Sequence, residues 1–148
     1  MGNRIACRLV LDLYQVHQSR QTLPVPRIVP LSNLLGNALK FSRADKPPVI
    51  EISSRTVSAD ELREHVKLDI RRSYCEIIFV DNGIGIDPRF AERVFTIFQR
   101  LNTQQRFEGT GVGLALCKRI VTNHGGDIYV LPNKEGGSSF HIFLPLAL

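Results

Sequence analysis

Apolar side chains recur along this chain with two periods, and the switches between them divide it into elements. Leu31, Leu34, Leu35, Ala38 and Leu39 stand at i, i+3, i+4, i+7 and i+8, the single stripe of an amphipathic helix. Pro24, Pro26 and Pro30, so close together, argue against a helix before residue 30. Pro30 can occupy the first turn of the helix that follows, where a missing N–H costs nothing. At about 100° per residue, Asn33, Asn37 and Lys40 gather on the other side. Two carboxamides and an ammonium then point away from the core and could line a polar pocket. Residues 49–54 read as a strand with Ile50 and Ile52 on one face, and Glu76 to Asp81 as a second strand around the run Ile77-Ile78-Phe79-Val80. The charged stretch from about Thr56 to Arg72 reads as a surface excursion containing a short helix.

Asp87-Pro88 predicts an N-cap with proline at the first helical position, followed by a helix that buries Phe90, Val94, Ile97 and Phe98. Leu101 to Glu108 is polar and aperiodic, a loop. A further helix is predicted from about Gly111 to His124 with Ala115, Leu116 and Ile120 inward, stopped by Gly125-Gly126. Residues 127–131 and 139–144 form a hairpin around Asn133 to Gly137. Residues 1–30 are the least regular, with a strand or short helix at Ile5 to Tyr14, and are read as an atypical or truncated start to a domain spanning 31–148.

Composition narrows the classes. A chain of 148 residues, 43% apolar and 22% charged, suits one soluble globular domain able to bury its own core. The net charge of +5 is scattered rather than striped, which argues against nucleic acid and leaves an anionic nucleotide or an acidic partner. Cys7, Cys75 and Cys117 are odd in number and form no C-x-x-C pair, so neither disulfides nor zinc are indicated and a reducing cytoplasm fits. No apolar run reaches membrane-spanning length, and Ile5 to Leu13 is broken by Arg8 and Asp12. Ala6 stands where myristoylation would need Ser or Thr. No membrane contact by this chain is expected.

The chemistry lies in two segments. Asp81-Asn82-Gly83-Ile84-Gly85 follows a buried strand, and an ionised carboxylate there can only accept hydrogen bonds, as from the exocyclic amine of adenine. Gly109-Thr110-Gly111-Val112-Gly113-Leu114-Ala115 opens a helix, where alternating glycines let backbone N–H groups and the helix dipole meet phosphates. Each alone has a plain reading: a turn after a strand, a flexible loop, solvated asparagines, core phenylalanines. Their joint order is what points to a nucleotide pocket.

In sequence, Asn33 to Phe41, Asp81 to Gly85, Phe95 to Arg100, Gly109 to Ala115 and Gly137 to Phe140 resemble the boxes of the catalytic ATP-binding domain of sensor histidine kinases. The resemblance runs from residue 31 to 145, and Phe143-Leu144-Pro145 resembles the family's ending. It implies the α+β fold shared with gyrase, heat-shock chaperone and mismatch-repair ATPases, a two-layer sandwich whose mixed, mostly antiparallel sheet is covered on one face by about three helices. On that resemblance Asn37 would coordinate Mg²⁺ with Asn33 as its partner, Lys40 would reach the phosphates, and Phe41 would pack beside sugar and base. Asp81 would read adenine, with Gly83 and Gly85 turning beneath it. Phe95 and Phe98 would anchor a lid, Arg100 would approach the phosphates, and Gly109, Thr110, Gly111, Val112, Gly113 and Leu114 would form the lid's far hinge and phosphate cradle.

The activity implied is transfer of the γ-phosphoryl group of ATP to a histidine, mainly by positioning and charge neutralisation. The family's acceptor histidine, beside an acid, sits on a separate helical-hairpin domain that this chain does not show. His17 lacks an acidic neighbour, and His65, His124 and His141 read as surface or strand-face residues. The partners implied are therefore that phosphoacceptor domain and a response-regulator receiver domain. One departure stands out: the family carries a strand and about two more helical turns before the equivalent of Asn33, where this chain has Pro24, Pro26 and Pro30. Two other classes share such a pocket, a serine kinase of the anti-sigma type and a non-catalytic module in which ATP switches partner contacts.

Overall fold

The computed structural model describes residues 8–12, 28–63, 67–96 and 112–146. Among these residues five strands make one sheet: β1 (Arg8–Asp12), β2 (Val49–Val57), β3 (Tyr74–Asp81), β4 (Asp127–Pro132) and β5 (Ser138–Pro145), in the order β1-β2-β3-β5-β4. β1 runs parallel to β2, and every other pairing is antiparallel. The α-helices among the described residues are α1 (Ile28–Lys40), α2 (Ala59–Leu62) and α3 (Gly113–Asn123). This is the mixed, mostly antiparallel α+β sandwich that the resemblance implies, with α1 and α3 on one face of the sheet and α2 on the other.

Strand alternation divides the sheet into two unlike faces. Ile50 of β2, Ile77 and Phe79 of β3, Ile128 and Val130 of β4, and Phe140, Ile142 and Leu144 of β5 form the main core with Leu34 and Ala38 of α1 and Cys117 and Val121 of α3. Leu39, counted above in the α1 stripe, is 44% exposed, because it stands about 80° off the stripe's centre. Leu116 of α3 also departs from expectation at 41% exposed. Ala115 is buried as expected, together with Cys117 and Val121. Leu114, Cys117 and Val121 pack on the main core, an i, i+3, i+7 row that leaves Leu116 on the outer side.

The two helices pack antiparallel. Cys117 Sγ donates to Pro30 O at 3.6 Å, and Asn33 Nδ2 reaches Gly113 O at 3.5 Å, so α1 advances as α3 recedes. α1 starts at Ile28, so helix does begin before residue 30, contrary to the expectation from the three prolines. Pro30 still falls in the first turn, where a backbone N–H would have no intrahelical partner. α3 ends in a Schellman motif: Gly125 adopts φ +76°, Gly126 N donates to Val121 O at 3.0 Å and Gly125 N to Thr122 O at 3.0 Å.

The predicted helix after Asp87 is instead two single 3₁₀ turns, Pro88–Phe90 and Arg93–Phe95. Asp87 caps the first as expected, accepting from Arg89 N at 2.9 Å. The backbone then closes i→i+3 bonds, Phe90 N to Asp87 O at 2.8 Å and Thr96 N to Arg93 O at 3.0 Å, rather than the i→i+4 ladder. Val94 is buried and Phe95 meets Phe140 edge-on at 6.5 Å. Lys118 of α3 lies 5.6 Å from the Phe95 ring centroid while bonding Asp127 and Ile128 O, tying this turn to α3 and β4. Ile97 and Phe98, expected on the same buried face, lie outside the described residues, as does the loop from Leu101 to Glu108.

The charged excursion has a structural role that its composition hides. Ser58 and Glu61 form a reciprocal capping box at α2. Behind it Leu62 and Leu68 are buried against Val57, Tyr74 and Phe143, a second apolar cluster on the sheet face opposite α1 and α3. Beside that cluster Glu76, 2% exposed, bridges three strands, with Arg55 Nε at 2.6 Å and His141 Nδ1 at 2.7 Å. Tyr129 stacks on His141 at 4.8 Å. Burial alone would raise the Glu76 carboxyl, but the His141 hydrogen bond and the Arg55 charge outweigh it and hold it below the usual glutamate value.

Candidate functional site

Asp81 is the last residue of β3 and is 8% exposed. The chain turns immediately after it, so Gly83 N–H folds back onto Asp81 Oδ1 at 2.9 Å. The Ser138 backbone N–H favours the charged form of this carboxylate as well. Burial pushes the carboxyl above its usual value, and the two backbone donors offset part of that rise. A buried carboxylate with lone pairs to spare is poised for a further donor.

The turn is built by close backbone approach. A Cβ on Gly83 would lie 2.7 Å from Phe41 O, and Ile84 N donates to that same oxygen at 3.1 Å. The C-terminal end of α1 therefore rests on the turn below Asp81. From the other side comes the β4–β5 connection, where Gly137 has φ +88° and a Cβ would lie 2.0 Å from Asp81 O. Only glycine combines that backbone angle with that contact.

The polar side of α1 borders the same region. Asn33, Asn37 and Lys40 are half-buried, and Lys40 Nζ lies 5.2 Å from the Phe41 ring centroid. Because α1 and α3 are antiparallel with Asn33 beside Gly113, Asn37 and Lys40 extend past the amino end of α3. Among the described residues that end has no side-chain cap: Val112 is the N-cap residue and forms no capping bond. Its first-turn N–H groups and positive dipole end suit an anion. Val112, Gly113 and Leu114 are half-buried there.

Of the residues singled out in the sequence, Asn33, Asn37, Lys40, Phe41, Asp81, Gly83, Gly85, Val112, Gly113 and Leu114 are among those described. Phe98, Arg100, Gly109, Thr110 and Gly111 lie outside them. The structure joins Phe41 to Gly83 and Ile84, and Asn33 to Gly113. Sequence reasoning did not count Gly137, Ser138 and Asn82 as site residues. Gly137 and Ser138 stood in the fifth box, and Asn82 inside the Asp81 motif, but their contacts come from tertiary structure.

Residues 30–148 match the family described as histidine kinase-, DNA gyrase B-, and HSP90-like ATPase. The chain belongs to this ATPase family. It is an ATP-binding catalytic domain of the histidine-kinase type. Relatives include the phytochrome-like protein Cph1 of Synechocystis, 40% identical over 114 residues covering 77% of this chain and 13% of the relative. The sensor histidine kinase AruS of Pseudomonas aeruginosa is 35% identical over 144 residues, 93% of this chain and 13% of the relative. The chain thus spans about an eighth of the length of either. Among solved structures, the mycobacterial sensor histidine kinase MprB superposes with a TM-score of 0.68 at 22% identity over 94% of this chain and 82% of that one. Full-length ShkA in complex with AMPPNP gives 0.63 at 20% identity, over 96% of this chain and 27% of that one. At these identities the structural likeness concerns the fold. Among the described residues no helix is long and apolar enough to cross a membrane.

Proposed function

We propose that this domain binds Mg-ATP between Asp81 and the amino end of α3, and presents the γ-phosphoryl group to a histidine on a separate helical-hairpin domain of a cytoplasmic sensor kinase, for onward transfer to a response regulator. The observation that carries this reading is the buried Asp81 carboxylate, which accepts from the Gly83 N–H and, as an acceptor with several lone pairs, can take a further donor. An adenine exocyclic amine supplies that donor and offsets the cost of burying the charge.

Each residue then has a task. Gly83 and Gly85 keep the turn flat beneath the base, and Phe41 packs beside the sugar. Lys40 supplies positive charge to the phosphates, and the N–H groups at Gly113 and Leu114 donate to them. Asn37, seconded by Asn33, offers an amide oxygen suited to a hard cation. Bound Mg²⁺ would neutralise charge on the phosphate chain. Phe98, Arg100, Gly109, Thr110 and Gly111 complete the site as its lid and hinges. Residues 31–148 constitute the catalytic unit, preceded by the atypical segment 1–30. Histidine as acceptor is supported by the likeness to AruS, a sensor histidine kinase 35% identical over 144 residues.

The test combines the chain with an acceptor hairpin and radiolabelled ATP. A label stable in base and lost in acid supports phosphohistidine. An acid-stable label would favour the serine kinase, and nucleotide binding without label the switch module.

A further inference from the structure

Asn82 holds the base of the nucleotide pocket together by a device the family boxes do not reveal. The β2–β3 ladder ends at the pair Ile50 and Asp81, and the next pair would be Val49 and Asn82. Asn82 N–H makes its half of that pair, donating to Val49 O at 3.2 Å. The reciprocal bond needs a carbonyl that the turn at Gly83 has already carried away. The Asn82 side chain replaces it: Oδ1 accepts from Val49 N–H at 2.8 Å, and Nδ2 donates to Pro47 O at 3.1 Å. One carboxamide thus extends the ladder and grips the incoming chain two residues further back.

That grip matters because of what residues 41–49 connect. At their start Phe41 O accepts from Ile84 N at 3.1 Å, directly after Lys40. At their end Asn82 closes on Pro47 and Val49. The segment linking α1 to β2 is therefore fastened to residues 82–84 at both ends. α1 carries Asn37 and Lys40, and β3 carries Asp81, so the fastening sets the spacing between the two halves of the pocket.

We propose that Asn82 is a positioning residue that fixes the reach between the adenine-reading end and the phosphate-holding end of the site; this rests on the nucleotide reading above. A residue that touches no ligand but sets a span should matter in proportion to how much of the span a ligand occupies. Adenosine needs only the Asp81 end, whereas Mg-AMPPNP must engage both.

The experiment titrates the full chain, Asn82→Asp and Asn82→Ala with adenosine and with Mg-AMPPNP by calorimetry, after melting curves show each variant folded. Asn82→Asp keeps the acceptor for Val49 N–H and loses the donor to Pro47 O, so it carries the test if the alanine variant does not fold. The expected result is a loss of about tenfold in AMPPNP affinity for Asn82→Ala, a smaller loss for Asn82→Asp, and adenosine affinity within about twofold of the parent for both. Equal weakening of both ligands, or of neither, would overturn the proposal. A parent chain that binds neither ligand would instead overturn the nucleotide reading on which it rests.

Discussion

Gly137→Ala offers the sharpest check on how the pocket is built. The added Cβ would stand 2.0 Å from Asp81 O, 2.7 Å from Asp81 C and 2.8 Å from Asn82 Cα. All three are backbone atoms, which cannot swing aside as the end of a flexible side chain would. Holding alanine at φ +88° adds its own strain, about 1–2 kcal/mol for a side chain in left-handed backbone. Overpacking against a closed neighbour adds about 1–3 kcal/mol. The sum, about 2–5 kcal/mol, is a large part of the stability of an ordinary domain, and lowers the melting temperature by about 5–15 °C at this chain length. Because the displaced atoms belong to Asp81 and Asn82, Mg-AMPPNP affinity should fall as well. The control is Gly36→Ala, the same chemical change in the exposed middle of α1 with nothing within 4 Å of the new Cβ. It should stabilise by about 0.5–1 kcal/mol. Melting curves with and without nucleotide decide the matter. If Gly137→Ala melts within about 1 °C of the parent and binds nucleotide equally well, the β4–β5 turn does not support the acid as argued.

Asp81→Asn should abolish AMPPNP binding in calorimetry yet melt higher than the parent at neutral pH. The folded carboxyl is raised by burial, so its stabilising effect is complete below the ordinary aspartate value and lost as pH rises through the folded one; a lower melting point than the parent across neutral pH would contradict this. Glu76→Gln sets a carboxamide N–H₂ against one of two donors, Arg55 or His141, at a cost of about 2 kcal/mol after allowing for the half-exposed Arg55. Since the Glu76 carboxyl is depressed, the parent's advantage exists above the ordinary glutamate value and disappears as pH falls through the lower folded one. Urea midpoints should therefore converge in strong acid, and a gap that persisted there would reject the network as its source. Burial pushes the Cys117 thiol up to about 11, so in native protein at about pH 8 it should resist alkylation while half-exposed Cys75 is modified. Peptide mapping by mass spectrometry reads both, and rapid native labelling of Cys117 would show that the α1–α3 seam opens readily.

Local pattern by itself determined much of this protein. The Leu31 to Ala38 stripe placed α1 within two residues of its start, because burying one side of a helix imposes a period that composition cannot mimic. Asp81 at a strand end, Asp87-Pro88 as a cap, the Gly125-Gly126 stop and the Asn133 to Gly137 turn were legible for the same reason: each obeys backbone geometry within a few residues. Tertiary structure decided whatever depends on a neighbour remote in the chain. Leu116 belongs to an apolar helix segment but faces outward, since the sheet and α1 take the adjacent row. The segment from Thr56 to Arg72 is charged along its length, yet Leu62 and Leu68 close a second core whose other members, Tyr74 and Phe143, lie on β3 and β5. Asn82 and Gly137 acquire their roles only when Pro47, Val49 and Asp81 arrive beside them. Periodicity records that a face is buried; only the packed sheet settles which residues bury it, and thereby sets the shape of the pocket beside Asp81.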